Sequence, residues 1–438
     1  MNAIFFFLVL IAFIVTAVRQ IIWIPETAVD SPMQVLSLAM VDTAKSSVTL
    51  AIGLVGVMAL FLGLMKVAEA GGLLKILARL IRPMMIRLFP DVPADHPAMG
   101  AMIMNLAANA LGLGNAATPF GIRAMQALDR LNPVKGTATN AMALFLAINT
   151  SSVTLLPTGV IALRASMGSI EPAAILPTTL FATFCSTTVA ILATRFYQRF
   201  FPVQTDEKSQ EIKQKSPNLE LKDELDGMQQ AQTEEVLSQP GLPVWISWFA
   251  LITLISFVPL TIIYGRMMSP WVMPGLMIAL LGFGYLRGVA VYERFVEGAR
   301  DGFDVAIRII PYLVAILVAV GMFRASGAMD FLVGLIAPLT EMVGLPAEAL
   351  PMALLRPLSG SGAYGVMASI IENPAIGPDS YTGILVSTFQ GSTETTFYVI
   401  AVYFGAVQIR RIRHAMAAAL TADLAGIIAA VAICSFLY

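Results

Sequence analysis

The chain has 438 residues, of which 57% are apolar and only 13% charged, about half the charged share of a soluble globular domain. Its 27 basic and 28 acidic residues leave a formal net charge of −1, which excludes a basic nucleic-acid binder. A mean hydropathy of +0.79 excludes a disordered chain and argues against a soluble enzyme. The composition is that of an all-α polytopic membrane protein. In chain order, apolar runs predict nine spans, at 3–23, 44–65, 138–163, 173–194, 243–264, 271–286, 305–323, 381–407 and 415–437, since about 20 residues suffice to cross a bilayer. The first has no Lys or Arg before it and no small-residue cleavage site, so it reads as a retained helix anchored by Trp23. Segments 97–122 and 347–371 are apolar but interrupted by Gly, Asn, Ser and Pro, and read as re-entrant hairpins.

Positive charge marks the cytoplasmic side of a membrane protein. Lys66, Lys75, Arg79, Arg82 and Arg87 precede the first hairpin, and Arg123, Arg130 and Lys135 follow it. The second hairpin is flanked mainly by Asp330, Glu341, Glu348, Glu372 and Asp379, so the two are expected to enter from opposite faces. The N-terminus is then cytoplasmic and the C-terminus external. Residues 202–240 hold 13 of the 55 charged residues and no aromatic. They form a polar cytoplasmic linker between domains at 1–201 and 241–438.

The two sides of the linker repeat one another. Gly63–Gly72 parallels Val320–Met329, and Asn105–Asn115 parallels Arg356–Gly365 as a Gly-rich break. Asn149-Thr-Ser-Ser152 parallels Gln390-Gly-Ser-Thr-Glu-Thr-Thr396 as a polar patch within an apolar run. Five full crossings separate the first span of one copy from that of the other, so the repeats have inverted topology, an architecture of transporters. Asn105 is matched with Arg356, and Val153 with Glu394.

Irregular backbone at membrane depth survives only where protein or water satisfies it. Gly112, Gly114 and Pro119 in one copy, and Pro357, Gly360, Gly362 and Gly365 in the other, are expected to unwind their helices. Asn105, Asn109, Asn115, Thr118, Asn149, Ser152, Ser359, Ser361, Tyr364, Gln390 and Ser392 would supply hydrogen-bonding groups for a solute. Arg356 and Glu394 would supply charge, because ionisable groups inside spans are costly and tend to be functional. Asp423, in the last span, is a weaker candidate. The string Gly360-Ser-Gly-Ala-Tyr-Gly365 matches a dinucleotide fingerprint but lacks the strand that motif requires. Cys185 and Cys434 lie in apolar runs, and His96 and His414 are far apart. No metal site, cofactor or catalytic pair is expected, so the chain is not expected to be an enzyme.

The strings Asn109-Ala-Leu-Gly-Leu-Gly-Asn-Ala-Ala-Thr-Pro-Phe-Gly-Ile-Arg-Ala-Met125 and Leu131-Asn-Pro133 resemble the spore maturation protein A family. Arg356-Pro-Leu-Ser-Gly-Ser-Gly-Ala363, Gly377-Pro-Asp-Ser380 and Gln390-Gly-Ser-Thr-Glu-Thr-Thr-Phe-Tyr398 resemble spore maturation protein B. The chain is similar to a fusion of the two. The resemblance implies a bacterial inner-membrane protein with two nucleoside recognition, or Gate, domains, a type shared with concentrative nucleoside transporters and the membrane part of ferrous iron transporters. The expected activity is movement of a small polar or amphipathic solute, nucleoside-like in the family's terms. A membrane scaffold without transport is the alternative. The bilayer and an unidentified solute are the expected partners, nucleic acid is not, and homo-oligomerisation is left open.

Overall fold

The computed structural model describes residues 2–24, 30–202 and 243–438. Pro202 apart, the 202–240 linker lies outside the described residues. The first series of helices is α1 (Asn2–Ile22), α2 (Pro32–Ala70), α3 (Leu73–Leu88), α4 (Pro97–Ala110), α5 (Gly114–Arg130), α6 (Asn140–Thr150), α7 (Thr158–Ser166) and α8 (Leu176–Tyr197). The second is α9 (Val244–Leu286), α10 (Val291–Ala325), α11 (Ala328–Thr340), α12 (Leu350–Leu355), α13 (Gly360–Glu372), α14 (Tyr381–Ser392), α15 (Thr396–Gly405) and α16 (Ala415–Leu437). From α2 and from α10 onward the same order recurs: a long helix, a shorter one, a two-helix hairpin, a broken helix and a closing helix. Among the described residues the only β-type pairing is an isolated bridge between Thr137 and Arg411.

Local chemistry sets the starts of these helices. Ser31 caps α2 by accepting from Gln34 N–H, with Pro32 in the first turn, where a missing N–H costs nothing. Thr139 accepts from Met142 N–H at the start of α6, and Ser380 accepts from Gly383 N–H at the start of α14. These two caps stand at equivalent points of the two series and fix where each broken helix begins.

Among the described residues, four helical segments are long and apolar enough to cross a bilayer whole: Phe5–Ile22, Pro32–Ala70, Pro172–Tyr197 and Ala415–Leu437. The expected spans 138–163 and 381–407 are not continuous helices. The first is α6 and α7 with an irregular stretch between them, and the second is α14 and α15. Helices of 11 and 9 residues, and of 12 and 10, contribute about 30 Å and 33 Å of rise respectively. Stacked end to end, each pair has enough helical rise to match the hydrocarbon thickness.

The expected spans 243–264 and 271–286 fall within one continuous run of helical backbone, the 43-residue α9. That helix cannot be straight. Ser247 Oγ donates to Leu80 O at 2.7 Å, while Gly284 packs on Val67 and Phe283 on Gly71. A straight helix would separate residues 247 and 283 by roughly 54 Å, far more than separates Gly71 from Leu80. The chain doubles back so that both ends of α9 meet the α2–α3 corner.

The longest interface joins α2 to α10. Gly63 packs on Phe295, Gly298 on Leu62 and Lys66, Gly302 on Ala59, and Gly321 on Thr43. As one number rises the other falls, so these helices run antiparallel. The closing helices do the same: Ser186 Oγ donates to Ala422 O at 2.8 Å, and Tyr438 Oη to Ala174 O at 3.2 Å. At one end of the α2–α10 pair, Lys66 lies 3.4 Å from Glu297, which Arg294 also meets at 2.6 Å. The two cations hold the Glu297 carboxyl below its ordinary range, Arg294 chiefly.

Two arginines tie the series together at the corners that follow the broken helices. Arg164, at the end of α7 and fully buried, donates to Pro378 O at 2.6 Å and pairs with Asp379 at 2.9 Å, just ahead of α14. It also donates to Pro172 O and Ser169 Oγ. Arg413, between α15 and α16, donates to Ala138 O at 2.9 Å and Asn140 Oδ1 at 3.0 Å, on either side of the α6 cap. Each series thus clamps the start of the other's broken helix.

Candidate functional site

The breaks meet. Glu394 N–H, in the α14–α15 break, donates to Thr150 O at the end of α6 at 2.8 Å. Leu155 N–H, in the α6–α7 break, donates to Ala110 O at 2.9 Å, at the first hairpin's break. Gly112 makes that approach feasible. It has φ +74°, and a Cβ there would lie 2.4 Å from Leu156 O, so a side chain would be both strained and in collision.

Arg356 ends α12 and points into the second broken helix. Its guanidinium donates to Thr395 Oγ1 at 3.0 Å and to Thr393 O, and lies 3.8 Å from Glu394 Oε2. Gly360 leaves the room, because a Cβ there would lie 2.7 Å from Thr395 Oγ1. Asp423 of α16 is a second acid within electrostatic reach of Arg356; it is buried and accepts from Thr396 Oγ1 at 2.7 Å. The side chains of Arg356 and Glu394 differ sharply in exposure, at 5% and 53%. A carboxylate between apolar helices that protein does not cover favours water or a ligand as its neighbour, since hydrocarbon would penalise it heavily.

A neutral network lies on the other side of the Thr150–Glu394 contact. Asn105 Nδ2 donates to Ala117 O at 2.8 Å and to Tyr403 Oη at 3.1 Å. Asn149 Oδ1 accepts from Asn109 Nδ2 at 3.0 Å and from Tyr403 Oη at 3.4 Å. The Tyr403 ring stacks on Phe145 with centroids 6.1 Å apart and passes over Gly121, where a Cβ would sit 2.2 Å from its hydroxyl. Asn105 Oδ1 is buried with no hydrogen-bond partner among the described residues.

Ser361, Tyr364 and Gln390 line a cavity of about 260 Å³ with Met58, Gly159, Leu313 and Gly360. Tyr364 Oη donates across it to Gly159 O at 3.0 Å. Ser152 is on the wall of a different cavity, beside the α6–α7 break. Ser359 and Ser392 are occupied locally: Ser359 caps α13 by accepting from Gly362 N–H at 3.0 Å, and Ser392 donates to Phe389 O at 3.2 Å. Thr118 is half-buried on α5, and the Asn115 side chain lies outside the described residues. Three expected helix breakers do not break their helices: Pro119 is within α5, and Gly362 and Gly365 are within α13. Pro119 is the sixth residue of α5, past the first turn, so it removes one backbone hydrogen bond without ending the helix. Asn105 is not the structural counterpart of Arg356 either. It lies inside α4, ahead of the break at Leu111–Leu113, whereas Arg356 opens its own break.

A family model described as nucleoside recognition, Gate, matches residues 51–198 and 306–410. The chain belongs to the Gate family. The two matched segments fall on the two helix series, so the Gate domain is present in two parts. The chain is 46% identical over 165 residues to spore maturation protein B of Bacillus subtilis, covering 38% of this chain and 92% of that protein. It is 44% identical over 185 residues to spore maturation protein A of the same organism, covering 41% of this chain and 94% of that protein. Each relative corresponds to part of the chain, as in a fusion. Inner membrane protein YjiG of Escherichia coli is 30% identical over 100 residues, covering 23% of this chain and 65% of that protein. No solved structure matches the chain.

Three contributors to the site are absent from the sequence-based set: Tyr403, Thr393 and Thr395. The threonines lie in a string already singled out, and their spacing around Glu394 was the available signal. Tyr403 carried none, because its partners Asn105 and Asn149 are about 250 to 300 residues away in the chain.

Proposed function

We propose that this Gate protein is a transporter or permease of the bacterial inner membrane, moving a small polar or amphipathic solute between the two broken helices. The observation that carries the reading is Glu394. It stands in a helix break, hydrogen-bonded through its backbone to the other broken helix, with its carboxylate half-exposed beside a buried arginine. Antiparallel packing of α2 on α10 and of α8 on α16 supports inverted repeats, which would present the same site to either face in turn. The N-terminus is cytoplasmic and the C-terminus external in this reading, following the basic clusters.

Glu394 acts here as the exchangeable charge, taking up a proton or the cationic end of a solute, while Arg356 stays fixed. Purified protein in liposomes on a solid-supported membrane tests this, with uridine as a polar probe and decanoate as an amphiphilic one. Wild type is expected to give a substrate-induced current with at least one probe, and Glu394→Gln to abolish it while remaining folded. Equal currents from wild type, Glu394→Gln and protein-free vesicles would overturn the reading.

A further inference from the structure

A cavity of about 330 Å³ lies beneath α3, within the size range of small-molecule sites, about 300–1,000 Å³. One wall is a single helical stripe, Leu77, Leu80, Ile81, Met84, Met85 and Leu88, at the spacing of one α-helical face. The opposite side of α3 carries Lys75, Arg79 and Arg82, so the helix has the design of one lying in the membrane interface. Phe184, Thr187 and Ile191 of α8, Leu106 and Ala110 of α4, and Ser247 of α9 complete the walls. Met85 is buried, but Leu77, Leu80, Ile81, Met84, Leu88 and Ile191 are only partly buried, so the cavity communicates with its surroundings.

Its inner end is the α6–α7 break, through Ser152, Val153 and Leu155. The N–H groups of Ser152 and Val153, both on the cavity wall, and of Thr154 beside them have no hydrogen-bond acceptor among the described residues. In the corresponding break of the second series, Arg356 meets Thr393 O and Glu394 N–H meets Thr150 O. The first break therefore leaves consecutive donors open at the end of a hydrocarbon-lined tunnel, two residues from the point where the breaks touch. Successive free N–H groups favour an anionic head, and the lining favours a chain.

We infer that the cavity under α3 binds a single-chain anionic amphiphile, with its hydrocarbon chain along the α3 stripe and its carboxylate or phosphate head at Ser152 and Val153. This rests on the transport reading and narrows its solute class. The α3 end of the cavity faces the side carrying the basic clusters, so the ligand enters from that leaflet.

The test uses the full chain in nanodiscs with a diazirine-bearing hexadecanoic acid as probe. Photolysis is expected to label peptides covering 77–88, 148–155 or 184–191, in competition with unlabelled hexadecanoate. Ile191→Trp and Ala110→Phe each fill part of the cavity. Displacing about two methylenes is expected to lower labelling roughly tenfold, with thermal unfolding serving to confirm that each variant is folded. A lysophosphatidic acid that competes as well as the fatty acid indicates recognition of the negative head in general; competition by the fatty acid alone indicates a carboxylate site, and either result supports the inference. Labelling spread over outward residues such as Leu192, Leu424 and Ile428, unchanged in both folded cavity variants, would overturn it. Cavity labelling without flux of either the amphiphile or uridine would uphold the site and refute the transport reading instead.

Discussion

Glu394→Gln and Arg356→Met should have opposite consequences, although the two side chains face each other. At 3.8 Å the Coulomb attraction of a charge pair is about 4 kcal/mol at an effective dielectric constant of 20 and about 1 kcal/mol in water. Glu394 is half-exposed, so the lower figure governs, and its removal should cost about 1 kcal/mol or less. Arg356 keeps Thr393 and Thr395 when Glu394 is gone. Arg356→Met, in contrast, leaves the buried Thr393 O and Thr395 Oγ1 without their donor, and each buried acceptor left unsatisfied typically costs about 1–3 kcal/mol. Adding Glu394→Gln should recover little of that loss, because neither acceptor regains a donor. Thermal unfolding of the purified variants in one detergent ranks them, and flux in liposomes separates function from folding. If Glu394→Gln destabilises the protein as much as Arg356→Met, Glu394 is a structural partner and the reasoning fails.

Other expectations follow from the same geometry. Tyr403→Phe removes the hydroxyl joining Asn105 to Asn149 and should cost about 1 kcal/mol, read by thermal unfolding; Gly121→Ala, which drives a Cβ into that ring, should cost about 1–3 kcal/mol, and no change in either would discount the network. Cysteines introduced at positions 220 and 438 should label from opposite sides of the membrane, and labelling of both from one side would contradict the inverted repeats. Separate expression of 1–215 and 230–438 should yield halves that co-purify; halves that remain apart would show that the linker does more than tether.

The breaks were legible because Gly, Pro and hydrogen-bonding residues interrupt runs that otherwise carry hardly any. Arg356 and Glu394 were legible for a related reason: charge inside an apolar run has few structural uses. The broken character of 138–163 was not, since hydropathy averages over Ser151–Pro157 and reports one long span. Arg164 was equally hidden. It lies just past a predicted span, where a basic residue reads as an interfacial anchor, and only the fold reveals that Pro378 and Asp379 close around it. Pro119 misled in the other direction, because α5 continues through it at the loss of one backbone hydrogen bond.

The paired clamps bear on how the molecule is made. α6 is synthesised early, yet the residue that pins its beginning, Arg413, follows Asn140 by 273 residues. Until then the first half waits in the bilayer with the start of its broken helix unsecured at Ala138 and Asn140. Arg164 in turn has neither Pro378 nor Asp379 to grip until the second half arrives. Maturation is thus a late, reciprocal locking event, and carrying both halves on one polypeptide guarantees that each meets its counterpart in equal number.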